Sequence, residues 1–316
     1  MSSVLNSERW PDLPYAVWKD TYETLHLWTQ IVGKVRLMRE PWLNHSWHVP
    51  FYVTARGLTT SPIPSGGRVF QLDFDFIDHL LWVRTSDGHV RQVMLAPKTV
   101  AEFHGEVTSA LAELGLVTPI LTQPSEIAGG IPFEQDRVHA SYDRDYAQRF
   151  WRILLSTHEV LSRFRTGFLG KVSPIHFFWG GFDLAVTRFS GRRAPPHPGG
   201  IPHLSDAVTR EAYSHEVSSA GFWPGGGLFD YPAFYSYAYP SPEGFASAMV
   251  EPRQAFFSKE FGEFLLPYEA IRRAQDPEAM LTAFLQSTYE AAAELGKWDR
   301  EALECPVGVP CRPRAP

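Results

Sequence analysis

The chain is poor in cysteine: of 316 residues only Cys305 and Cys311 carry thiols, and both sit in the Pro-rich tail. Two tail thiols cannot staple a core and are too few to build a zinc site alone, which sets aside disulfide scaffolds and zinc ribbons. No apolar run approaches the roughly 18 residues a bilayer span needs, and the polar start from Met1 to Trp10 has no apolar stretch with a small-residue cleavage site. A cytoplasmic protein without membrane attachment is expected. Lys and Arg form no block, and the formal net charge is -6, so nucleic-acid binding is disfavoured. The GxSxG elbow, the Walker loop, a strand-bound GxGxxG and HExxH are missing too, which removes the compact signatures of several enzyme classes.

What is present supports a sizeable core: 44% of residues are hydrophobic and 20% charged. Residues 15–31 place Trp18, Tyr22, Leu25 and Trp28 at helical spacing, with Gly33 as the expected stop. From Lys34 to about Leu95, short β-branched and aromatic runs separated by Ser65-Gly66-Gly67 and Asp87-Gly88 predict an antiparallel sheet. Residues 98–114 return to helical spacing and end at Gly115. After a connector rich in Pro, Gly and acidic residues the order recurs, with a helix from Asp145 to Arg165 leading into Gly170-Lys171-Val172 as the first led into Gly33-Lys34-Val35. The closing helices end alike, ALAELG at 110–115 and AAAELG at 291–296. The predicted fold is therefore α+β, two duplicated halves that each run helix, antiparallel β-sheet, helix. Its boundaries are 1–117 for the first half, 118–144 for the connector, 145–304 for the longer second half and 305–316 for the tail.

Long runs such as LHLWTQIVGKVRL, NHSWHVPFYVTARGLTT, GKVSPIHFFWGGFDLAVTRFSGR and FGEFLLPYEAIR make the chain resemble the bacterial domain-of-unknown-function 5996 family. The resemblance runs from Trp10 to about Leu303. It implies no activity and no catalytic residue.

Candidate chemistry rests on ionisable side chains inside apolar, aromatic runs, where perturbed pKa values and ligand sites arise. His45 and His48 flank Trp47; His176 and Asp183 bracket Gly180-Gly181; His215 adjoins Glu216. Pseudo-symmetry between halves would bring His45 and His48 together with His176; with His215 they make a candidate metal set suited to Zn or Fe, with His176, Asp183, His215 and Glu216 as catalytic groups. For any single histidine, a core side chain bonded to backbone is the commoner role. A metal-free alternative uses Asp73 and Asp75, which share a strand face in QLDFDFID, with Glu216 from a neighbouring strand. Lys34 and Lys171 are read as turn charges, or as imine-forming or anion-binding groups. The segment 222–242 carries Trp223 and Tyr235 among many aromatics, and too many Pro and Gly for regular structure along its length. It is a candidate cap over a small-molecule ligand, which Trp47, Trp179, Trp223, Tyr235 and Arg188 would contact. The leading expectation is an enzyme acting on a small molecule through a His/carboxylate site. A non-catalytic small-molecule-binding protein is the second expectation, and a pure interaction protein the third.

Overall fold

The computed structural model describes residues 8–226 and 229–314. Its elements, in chain order, begin with α1 (Tyr15–Leu37), followed by the short strands β1 (Tyr52–Val53), β2 (Gly57–Thr59) and β3 (Ile63–Ser65). The longer strands β4 (Arg68–Asp75), β5 (Leu80–Thr85) and β6 (Val90–Met94) lead to α2 (Val100–Glu113). These strands form a six-stranded antiparallel sheet in the order β1-β2-β4-β5-β6, with β3 also paired to β4. The connector brings the chain to α3 (Arg144–Thr166). Then come β7 (His176–Phe178), β8 (Asp183–Arg193), α4 (Asp206–Ala212), β9 (His215–Trp223) and β10 (Ala233–Tyr239). The last elements are β11 (Phe256–Ser258), β12 (Glu263–Pro267), α5 (Tyr268–Arg272), α6 (Pro277–Leu295) and α7 (Arg300–Leu303). The second sheet is again antiparallel and six-stranded, ordered β11-β12-β10-β9-β8-β7. A bridge between Phe51 and Phe177 links the two sheets. The fold is therefore α+β with two antiparallel sheets, and each half runs helix, sheet, helix.

Local chemistry accounts for the helix limits. Thr99 caps α2 through a box with Glu102, Gly115 ends it at φ +67°, and Asp143 caps α3 by accepting from the amides of Asp145 and Tyr146. Helix α1 is central to the core, for every residue from Thr24 to Arg36 is buried. It passes straight through Gly33, the expected stop. The glycine is there because the Trp179 indole lies against its Cα, where any Cβ would collide. The two GKV runs accordingly occupy different settings: Lys34 lies inside a helix, whereas Lys171 follows the end of α3.

The second sheet sorts its side chains by alternation. One face presents Leu184, Val186, Ala220, Phe222, Phe234, Phe264 and Leu266 to the main core. Arg188 belongs to that face: its guanidinium lies 3.5 Å from the Phe164 ring centroid and 4.3 Å from that of Tyr289, and donates to the Phe164 carbonyl. Arg188 therefore braces the core, on the face opposite the cleft described below. The segment expected to be irregular is largely a hairpin, since β9 and β10 pair from Val217–Tyr239 to Trp223–Ala233; of its described residues, 224–226, 229–232 and 240–242 lie outside the two strands. Residues 227 and 228 lie outside the described residues.

Candidate active-site cleft

The opposite face of the second sheet is polar and aromatic. The pairs Ala185–Gly221 and Thr187–Ser219 carry its alternation from β8 into β9, Gly221–Tyr235 and Ser219–Tyr237 into β10, and Tyr235–Leu265 into β12, whose first residue Glu263 lies two positions back on the same face. Asp183, Trp223, Tyr235, Tyr237 and Glu263 thus form the floor of a cleft of about 740 Å³, roofed by Tyr15, Tyr22 and His26 of α1, by Glu126 of the connector, and by Tyr213. A second chamber of about 320 Å³ adjoins it, sharing Glu126, Gly180-Gly181, Asp183 and Tyr235 and lined also by Trp47, Trp179, Phe178 and Phe189, with the exposed Trp42 at its rim.

Several of these side chains are held by the central helix. The Gln30 amide exchanges two hydrogen bonds with the Ser125 backbone, at 2.7 and 2.9 Å, and Lys34 Nζ donates to the Gln123 carbonyl at 2.8 Å and to Ser125 Oγ at 3.0 Å. These bonds pin the connector so that Glu126, at φ +63°, turns over the cleft. His26 Nε2 donates to the Gly180 carbonyl at 2.8 Å, fixing the Gly180-Gly181 turn. A side chain at Gly180 would overlap the Glu126 carboxyl, and a Cβ at Gly181 would lie 2.8 Å from Asp183 Oδ1. The two glycines thus give the carboxyls room.

Three carboxyls meet here with shifted ionisation. Burial pushes Asp183 up to about 6, against the opposing hydrogen bond that Tyr235 donates to it. Solvent reaches Glu126 through the cleft mouth, yet protein surrounds it on most sides; that desolvation, with the Asp183 charge, raises it to about 7. Glu263 is raised to about 8, by burial first and Asp183 second. Tyr213 and Tyr237 share a hydroxyl contact of 2.8 Å beside them. Among the described residues neither Lys nor Arg lines either chamber.

Of the side chains expected to form the site, Asp183, Trp223 and Tyr235 line the outer cleft, and Trp47, Trp179 and His45 line the inner chamber. The histidines do not share a centre. His45 donates from Nδ1 to the Ala212 carbonyl at 2.7 Å and accepts at Nε2 from Lys171 Nζ at 2.6 Å, so both ring nitrogens are engaged. Its ring lies 6.0 Å from that of His215, while Trp47 stands between it and His176, with centroid distances of 5.4 and 5.8 Å. His48 turns back to the Leu43 backbone amide at 3.2 Å. Among the described residues no group of three or more His, Cys, Asp or Glu is arranged to hold a metal ion. Glu216 is tied to Arg192 at 2.6 Å and to Ser190, away from the cleft. Asp73 and Asp75 share a sheet with neither Glu216 nor the cleft and are paired to Arg84 and Arg56, each at 2.6 Å. Lys34 is buried rather than a turn charge, and desolvation lowers it to about 8.

With that geometry in place, a family model covers residues 10–305. The chain belongs to the DUF5996 family, a family of unknown function. No curated protein and no solved structure matches it. The carboxyl cleft of this DUF5996 chain was only partly foreseeable, because Glu126 reads as one acid in a linker and Glu263 as the polar start of an apolar strand, EFLLP.

Two expected outcomes follow from titratable groups held largely out of water. His176 is 1% exposed, its Nδ1 has no hydrogen-bond partner, and burial lowers it to about 3. Its folded pKa lies below the unfolded value of about 6.5, so its neutral form favours the fold above that pH, and stability is lost as pH falls from there toward about 3. His176→Leu is expected to keep or raise Tm at pH 7 and to flatten the decline below pH 6, read by thermal unfolding across pH; a steep fall in Tm at pH 7 would contradict it. Glu263 behaves in the opposite sense. Its folded pKa is raised, so its contribution is greatest in acid and is lost as pH rises through about 8. Glu263→Gln should therefore raise stability at pH 9 by on the order of 1–2 kcal/mol after allowance for screening at the cleft mouth, and change little at pH 5.

Proposed function

We propose that the cleft is the active site of an acid–base enzyme acting on a small molecule, with Asp183 as the base and Glu126 or Glu263 as the acid. The observation that carries this reading is the convergence of Asp183, Glu126 and Glu263, with Glu23 on the same wall, on one cleft that among the described residues is lined by neither Lys nor Arg. Their environments separate their roles: at neutral pH Asp183, at about 6 and bonded to Tyr235, is largely ionised, while Glu263, at about 8, retains its proton. A carboxylate to accept a proton and a carboxylic acid to return one then face the same volume. The expected His/metal chemistry with Zn or Fe has no part in this reading, because the histidine nitrogens are engaged or apart. Two free thiols fit a reducing compartment, and the cytoplasm is proposed as the place of action.

The test is to incubate the purified protein with a cellular extract of small molecules and follow every compound by mass spectrometry. The expected result is catalytic consumption of at least one compound with matching appearance of a product. Retention of a compound unaltered and in stoichiometric amount, with nothing consumed, would instead support a binding protein. The inner chamber, lined by Trp47 and Trp179, is the feature that favours this second reading.

A further inference from the structure

We infer that the cleft takes an organic cation: an ammonium group seated among Asp183, Glu126 and Glu263, with an apolar portion of the same molecule extending into the inner chamber. The inference rests on the reading of this cleft as a small-molecule site and adds the class of molecule.

The first argument is a missing partner. Elsewhere in the chain, acids in or beside the sheets have an arginine: Asp75 has Arg56, Asp73 has Arg84 and Glu216 has Arg192, each at 2.6 Å. Among the described residues no ion pair involves Asp183, Glu126 or Glu263, and no Lys or Arg lines either chamber. Carboxyls gathered in a cleft without a counter-charge repel one another, and a ligand cation supplies that charge where an anion would be repelled.

The second argument is the aromatic lining of the outer cleft. Tyr15, Tyr22, Trp223, Tyr213 and Phe261 line the same volume as the carboxyls, and aromatic faces attract ammonium groups. A neutral polyol would also stack there, but the inner chamber argues against a uniformly polar ligand. Trp42, Phe178, Phe189, Leu204 and Val208 line it, and it meets the outer cleft at Asp183. A molecule filling both chambers is polar and charged at one end and apolar at the other.

The experiment is calorimetric titration of the full chain with three probes of one shape, 2-phenylethylammonium, 2-phenylethanol and phenylacetate. The ammonium is expected to bind at least about tenfold more tightly than the alcohol, and phenylacetate more weakly than either. Seating a cation among partly protonated carboxyls displaces a proton, so the binding enthalpy at pH 7 should vary with the ionisation enthalpy of the buffer. In the Glu126→Gln/Glu263→Gln variant the preference for the ammonium should fall to within about threefold of the alcohol, with alcohol binding kept as the sign of an intact cleft. Equal or tighter binding of the alcohol or of phenylacetate overturns the inference, as does failure of all three to bind at millimolar concentration. A protein that prefers the ammonium yet consumes nothing from the extract refutes the acid–base reading alone. One that consumes a neutral compound and shows no ammonium preference refutes the cation inference alone.

Discussion

Replacement of Asp183 by Asn is expected to lower turnover by about a hundred- to ten-thousand-fold, the range typical of losing a general base. It should do so without unfolding the protein. Burial raises Asp183 to about 6, so its ionised form is disfavoured in the cleft, and a neutral isostere removes that penalty while still accepting the hydrogen bond from Tyr235. Tm should stay level or rise at pH 8. Tyr235→Phe provides the complementary test. The Tyr235 hydrogen bond lowers the Asp183 pKa against the effect of burial, so removing the phenol moves it upward. The base works when ionised, hence the acid limb of kcat/KM, expected near pH 6 in the wild type, should shift to higher pH in Tyr235→Phe with partial activity kept. Turnover by Asp183→Asn within threefold of wild type would remove Asp183 from the base's role. An unshifted acid limb in Tyr235→Phe would show that the limb belongs to another group.

The reasons the site was half legible are physical. Local sequence singled out Asp183 as an ionisable group beside Gly180-Gly181 in an aromatic run. What assembles around Asp183 is set by pairing across four strands and by a connector folded over the sheet. Glu126 lies 57 positions before Asp183 and Glu263 lies 80 after it, separations that carry no motif. The histidines misled for a related reason. His45, His48, His176 and His215 sit in aromatic runs, but His45 is held by the Ala212 carbonyl, His48 by the Leu43 backbone, and His176 is buried among aromatic rings. The element order was legible because hydrophobic period and turn residues report it directly. The wrong limit for α1 arose because a glycine that ends a helix and a glycine that admits a neighbouring ring look alike in sequence.

That distinction can be measured with one substitution made at two places. Gly33 in α1 and Gly105 in α2 are both mid-helix glycines, and Ala is favoured over Gly there by about 1 kcal/mol on propensity alone. At Gly105 an added Cβ meets nothing within 4 Å, so Gly105→Ala is expected to stabilise by about 0.5–1 kcal/mol. At Gly33 the same methyl runs into the pyrrole edge of Trp179. That indole cannot easily yield, since it is 6% exposed and its Nε1 donates to the Val49 carbonyl at 2.9 Å. Overpacking of this kind costs about 1–3 kcal/mol, which outweighs the propensity gain, and Gly33→Leu should cost more. Denaturant unfolding of the two Ala variants should therefore give shifts of opposite sign. The Gly33 variant has a functional consequence that Gly105→Ala lacks, because Trp179 lines the inner chamber and adjoins Gly180, whose carbonyl His26 holds. Displacing the indole moves the turn that gives Glu126 and Asp183 their room, so Gly33→Ala should also weaken 2-phenylethylammonium binding at a temperature where the variant is still fully folded. A stabilised Gly33→Ala with unchanged binding would mean that the Trp179 contact positions neither the helix nor the cleft.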